Sequence, residues 1–142
     1  MMRFGYVVAL IAVAAVATSP ALADGAIVVG STSDVARDGI AVGTSINYKS
    51  PGEAEKAATE RCRNYKPAPK AAAQCRSVGT FKDECYAISF DPKEGTPGAG
   101  WAIASTKAQA EERAIANCQI TAGDGRRDFC RIEESKCDGN GN

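Results

Sequence analysis

The chain has 142 residues, 44% hydrophobic and 24% charged, with 17 Lys plus Arg balanced by 17 Asp plus Glu. That composition fits one globular domain, and with no field of a single sign there is nothing to draw the protein onto nucleic acid or an anionic membrane. Histidine is absent, which removes the usual neutral-pH base, every Ser-His or Cys-His nucleophile pair and the commonest zinc ligand.

The first segment reads as an address. Met1 to Ala23 carries one cation at Arg3, an apolar run from Tyr6 to Ala17, a Ser19-Pro20 break and then Ala21-Leu22-Ala23 before Asp24. This is the pattern of a secretory signal over 1–23 with an A-x-A cleavage site. The apolar run falls short of the roughly 20 residues that cross a bilayer. The expectation is therefore a periplasmic or secreted protein, with one domain over 24–142 and no membrane anchor after signal cleavage.

Two short strands follow, Ala26 to Gly30 and Ile40 to Thr44, with turn residues Asp34 to Gly39 between them. Ser50-Pro51-Gly52-Glu53 is then a capping box, in which the serine hydroxyl accepts from an exposed helix N–H and Pro51 occupies the first helical position. From that cap Ala54, Ala58 and Cys62 fall one turn apart on one face. A polar loop, Lys66 to Gln74, leads to a strand at Cys75 to Val78.

The order then recurs. Tyr86 to Phe90 and Trp101 to Ala104 are strands separated by the Pro- and Gly-rich stretch Pro92 to Gly100. Thr106-Lys107-Ala108-Gln109 is a second capping box, and Ala110, Ala114 and Cys118 form a second small-residue stripe. Thr121 to Asp128 is a second polar loop, before a strand at Cys130 to Glu133. Alternation puts Tyr86, Ile88 and Phe90, Ile40 and Val42, and Trp101 and Ile103 toward the core. The predicted fold class is α+β: a duplicated β-β-α-β unit, with internal repeats over about 26–85 and 86–137, a mainly antiparallel sheet, two helices packed on one face and three disulfides.

The candidate site residues are cysteines. Cys62, Cys75, Cys85, Cys118, Cys130 and Cys137 all follow Asp24, and an even count in an exported small domain reads as a disulfide framework. With no histidine and no C-x-x-C, their spacing fits no zinc pattern. Sequence leaves several connectivities open. The repeat-symmetric choice pairs Cys62 with Cys75, Cys118 with Cys130 and Cys85 with Cys137. Three cysteines in each half would make the last bridge a link between halves.

The Gly25-Ala26-Ile27-Val28-Val29 opening, the A-x-x-x-A-x-x-x-C helix in each half, and the strands Cys85-Tyr86-Ala87-Ile88 and Trp101-Ala102-Ile103-Ala104 resemble the exported bacterial domain family DUF4189. The resemblance spans roughly Gly25 to Cys137 and departs from the family pattern in the long Lys66 to Gln74 insertion. It implies an envelope or secreted protein, brings no catalytic residues, and includes proteins that look like partners or neutralisers of other exported proteins.

Other motifs are weaker. Gly95 to Gly100 has the glycine density of a phosphate loop but precedes a strand, so it reads as a hairpin loop. Asp138 to Asn142 begins like a calcium loop and stops short of one, reading as a frayed tail. Glu133 and Glu134 are strand neighbours expected on opposite faces and solvated. Arg126 and Arg127, beside Asp124 and Asp128, read as a surface turn, with an anion site as the alternative. Catalytic residues, cofactors and metals are all assigned as none.

The expected function is a non-enzymatic, exported binding module, a partner or inhibitor of another envelope or extracellular protein. The alternatives are a carboxylate-dependent hydrolase of envelope glycan, and a structural or stress protein of the envelope without a dedicated ligand.

Overall fold

Strand β1 (Asp24–Ser31) is buried along nearly its whole length, because its two faces meet two different layers. In the computed structural model, which describes residues 24–142, β1 is the centre of a three-stranded sheet of order β2-β1-β3, with β2 (Ile40–Tyr48) and β3 (Arg76–Lys82) antiparallel to it. Strand β4 (Cys85–Phe90) is the centre of a second sheet, β5-β4-β6, flanked by β5 (Ala99–Ala104) and β6 (Arg131–Cys137), again antiparallel. The signal segment read over 1–23 lies outside the described residues.

The α+β class, the antiparallel pairing and the three disulfides are as the sequence implies. The layering differs: there are two sheets rather than one, each with its own helix on its outer face. The reason lies in side-chain size. Ala26 and Val28 turn toward helix α2 (Pro51–Arg63), while Ile27 and Val29 join Phe81, Tyr86 and Ile88 between the sheets. In the second sheet Ala87 faces α4 (Lys107–Ala122), and Trp101 and Ile103 pack into the inter-sheet core. Small residues admit a helix backbone and large ones fill the space of roughly 10 Å between sheets. The result is a helix-sheet-sheet-helix stack.

The small-residue stripes behave as their spacing implies. Ala54, Ala58 and Cys62 on α2, and Ala110, Ala114 and Cys118 on α4, have no exposed surface. Opposite them stand glycines: a Cβ at Gly43 would run into the Ala58 carbonyl, and one at Gly100 into the Ala114 carbonyl. Ser50 and Thr106 cap the helices, accepting from the amides of Glu53 and Gln109 at 3.3 Å each. Gln109 Oε1 does not complete the second capping box; it accepts from Ser105 at 3.1 Å.

Helix side chains also close two sheet edges. Arg61 donates to the Thr44 carbonyl on β2. Asn117 donates to the Trp101 carbonyl at 2.9 Å, and Thr121 bonds both the amide and the carbonyl of Ala99 on β5. Backbone groups that would otherwise recruit another strand are thereby occupied. The edges of β3 and β6 instead carry matching β-bulges, at Val78 and Glu133.

The expected turn and both expected polar loops contain structure. Asp34 to Gly39 forms a one-turn helix, α1 (Val35–Asp38), capped by Asp34 and ended by Gly39 at φ 74°. Lys66 to Gln74 holds α3 (Pro69–Ala72), whose Ala71 and Ala72 are buried. A 3-10 turn, Arg127–Phe129, follows α4.

The bridges are Cys62–Cys75, Cys118–Cys130 and Cys85–Cys137. Cys85 opens β4 and stands directly across from Cys137 on β6, so this bridge is internal to the second sheet and does not join the two halves. The chain turn at Asp83, φ 53°, comes before Cys85 and fixes that boundary. The C-terminal tail is docked rather than frayed: Asp138 is fully buried, and the Lys107 amide donates to the Asn142 carbonyl at 2.6 Å.

Candidate functional site

The sheets part at the side where β2 overlies β6. There a cleft of about 180 Å³ opens, with Ile40, Val42, Ile88 and Phe90 as its apolar lining and Thr44, Glu133 and Glu134 at its polar end. It runs into a wider groove of about 670 Å³ between the α1 segment and the Phe90 to Ala99 connection. Ile40, Phe90 and Tyr65 border both spaces. Tyr65 is 40% exposed, and its amide donates to the Cys62 carbonyl at 3.1 Å, so the Cys62–Cys75 bridge steadies the base of this aromatic wall.

The polar end is a closed network. The Tyr86 hydroxyl donates to Glu134 Oε1, Thr44 Oγ1 lies 3.0 Å from the phenol oxygen, and Lys136 Nζ is 2.9 Å from the same carboxylate oxygen. Burial, and then the Glu134 carboxylate it donates to, push the Tyr86 phenol above the ordinary tyrosine range. Burial pushes Glu134 up, but the hydrogen bonds from Tyr86 and Lys136 outweigh it and hold that carboxyl below its usual range. The pair is thus a protonated phenol and an ionised carboxylate already engaged with each other. Such an arrangement orients a ligand better than it exchanges protons with one.

The equivalent place on the other side of the stack is apolar. In register, Ile88 faces Glu134 and Tyr86 faces Lys136 in the second sheet, whereas Ile27 faces Gly79 and Gly25 faces Phe81 in the first. Phe81 packs where a Cβ on Gly25 would stand. The two sheets are built alike and differ at this cluster.

Both groove loops are pinned by ion pairs. Asp38, at the end of α1, takes Arg37 at 2.9 Å, Lys70 of α3 at 3.1 Å and the Thr32 hydroxyl at 2.8 Å. Asp91, at the start of the β4–β5 connection, receives both arms of Arg126 and the Lys93 amide. These donors hold both carboxyls well below the usual aspartate range, Arg37 leading for Asp38 and Arg126 for Asp91.

Several sequence expectations change here. Arg126 is not a free anion ligand: its fork is spent on Asp91 and its face lies 3.9 Å from the Phe129 ring centroid, while Arg127 pairs with Asp124. Glu133 and Glu134 do not diverge. The bulge at Glu133 adds a residue to β6, and both residues border the same cleft. All six cysteines are spent in bridges. Among the described residues, no group of three or more Cys, Asp or Glu side chains is placed to hold a metal ion. Thr44, Tyr86 and Tyr65 carry no functional signal in the sequence: Tyr86 and Glu134 are neighbours across one sheet, Thr44 reaches them only because its own sheet is stacked on that one, and Tyr65, just past α2, borders the same cleft as Phe90.

The profile of the family described as "Domain of unknown function (DUF4189)" matches residues 15–137. No curated protein matches, and no solved structure does.

Proposed function

We propose, from the premise that this chain belongs to the DUF4189 family, that it is an exported, non-enzymatic binding module whose groove takes a segment of another envelope or extracellular protein. The chain carries three disulfides, which form and persist outside a reducing cytosol. Among the described residues no helix is long and apolar enough to cross a membrane. The A-x-A signature before Asp24 supports export through a cleaved signal, to the periplasm or beyond.

One observation carries the binding reading. The groove between the α1 segment and the β4–β5 connection is walled by the exposed ring of Tyr65, and each of its loops is tied down by a buried aspartate. Loops held in this way lose little entropy on engaging a partner. An aromatic at the rim supplies area at low rotamer cost. The same reading takes the two sheets as products of a duplication. The polar cluster at Thr44, Tyr86 and Glu134 then marks where one copy diverged for a ligand.

The test is affinity capture of the tagged, oxidised protein from exported fractions of its host, beside a Tyr65→Ala, Phe90→Ala variant. A stoichiometric partner held by the wild type and lost by the variant is the expected result. Recovery of no partner, or of the same proteins by both, contradicts the reading.

A second reading, a carboxylate-dependent glycan hydrolase, is favoured by the bulge that brings Glu133 and Glu134 to one cleft. It predicts turnover by the purified protein that Glu134→Gln abolishes.

A further inference from the structure

We propose that the fold contains a binding site for its own α-ammonium group: once the chain is cut before Asp24, the ammonium created on Asp24 pairs with the carboxylate of Asp138. This rests on the export reading. Hydrolysis of the Ala23–Asp24 amide by a signal-cleaving protease consumes one water, leaves a carboxylate on Ala23, and frees the Asp24 nitrogen, which takes up a proton.

Asp138 has no exposed surface, and its two oxygens fare differently. Oδ1 accepts the Asn47 amide at 2.7 Å, whereas Oδ2 has no hydrogen-bond partner. A buried carboxylate left half-satisfied is costly, and an arriving cation removes that cost.

The position of Asp138 identifies the cation. Asp24 is the first residue of β1 and pairs with Tyr48 on one flank and Lys82 on the other. Asp138 grips the chain beside both partners: it accepts from Asn47, which precedes Tyr48 in the bulge opposite Gly25, and its own amide donates at 2.8 Å to the carbonyl of Glu84, two residues past Lys82. It therefore lies near the end of β1 at which a new terminus is made, close enough for the Asp24 carboxylate to act on it.

The surroundings are prepared for a positive charge. Burial pushes the Asp138 carboxyl upward, and the carboxylates of Asp24 and Asp83 push it further. Asn47 and Asp83 both hold left-handed backbone, φ 60° and 53°, and their side chains accept the amides of Gly139 and Asn140. The tail is thus folded back over this end of the sheet, and an ammonium under it would lock Asp138 to Asn142 in the processed chain alone.

The processed chain, beginning at Asp24, is the form that the export reading gives the protein, and it is the form tested. The chain beginning at Asp24 is compared with the same chain acetylated on Asp24, which needs no substitution. Acetylation is expected to lower Tm by about 4 °C or more and to speed amide exchange at Asp138 and Gly141 by roughly tenfold or more. In Asp138→Asn chains the two forms should match. Equal Tm and equal exchange with and without the free ammonium overturn the proposal, as does a difference that survives Asp138→Asn. N-terminal sequencing of the exported protein tests the premise separately: a first residue other than Asp24 overturns the proposal there, whatever the purified chains do.

Discussion

Arg126 grips Asp91 with two parallel hydrogen bonds, Nε to Oδ2 at 2.7 Å and Nη2 to Oδ1 at 2.6 Å, although the Asp91 side chain has no exposed surface. The fork joins the connection before β5 to the turn after α4. In the first half Lys70 and Asp38 make the corresponding tie between α3 and α1. A groove bordered by both loops inherits its shape from these pairs.

Acid should therefore loosen the groove. The carboxyls of Asp38 and Asp91 sit below the ordinary aspartate range, so the stability they supply is complete above the unfolded value of about 3.9 and is lost as pH falls through the folded values. The urea midpoint, followed from about pH 7 down to about pH 2, should fall in the lower part of that range. Asp91→Asn should lower the midpoint at neutral pH and shrink its fall in acid.

At the other end of the scale, the Tyr86 phenol is held protonated past the ordinary tyrosine range. A raised acid contributes stability below the unfolded value of about 10 that is lost as pH rises through the folded one. The difference absorbance titration of wild type against Tyr86→Phe should place this phenol above the ordinary range. Glu134→Gln should bring it down by removing the carboxylate it donates to. Because the Glu134 side chain is 37% exposed, Tyr86→Phe should cost only about 1–1.5 kcal/mol in urea denaturation.

The glycines under the helices give a steric test. Gly43→Ala and Gly100→Ala drive a methyl into the backbones of α2 and α4 and should each cost about 1–3 kcal/mol or more. Gly52→Ala, in the first turn of α2 with open space around it, should be neutral or stabilising by up to about 1 kcal/mol. Thermal or urea denaturation of the three variants separates the outcomes.

The bridges should differ in weight. In the chain-entropy model the Cys62–Cys75 closure, 13 residues apart, is worth about 3 kcal/mol, and Cys85–Cys137, 52 apart, about 4 kcal/mol. Paired Cys→Ser variants should follow that order in urea midpoint. A larger loss from the short closure would contradict it.

Much of this fold is legible in the sequence because it is locally encoded. Ser50 and Thr106 announce the helices, the stripes of Ala54, Ala58 and Cys62 and of Ala110, Ala114 and Cys118 name their buried faces, and the β-like runs at Ala26 to Gly30 and Tyr86 to Phe90 mark the two central strands. The second sheet was hidden because alternation says which residues share a face, not what that face meets. The site was hidden for a related reason. Thr44, Tyr86 and Glu134 come from three strands on two sheets, and the bulge that brings Glu133 to the cleft Glu134 borders leaves no mark in composition. Arg126 looked like a surface turn because Asp91, its partner, is 35 residues away.

The most direct test of the central claim is site-specific photo-crosslinking in the host's exported fraction. The photoreactive residue is placed at Tyr65 on the groove, and in a parallel variant at Ile120, which is 75% exposed on α4 and borders neither the cleft nor the groove. Binding in the groove predicts one dominant protein adduct from position 65 and none of that adduct from position 120. No adduct at either position, or the same adduct from both, would contradict it.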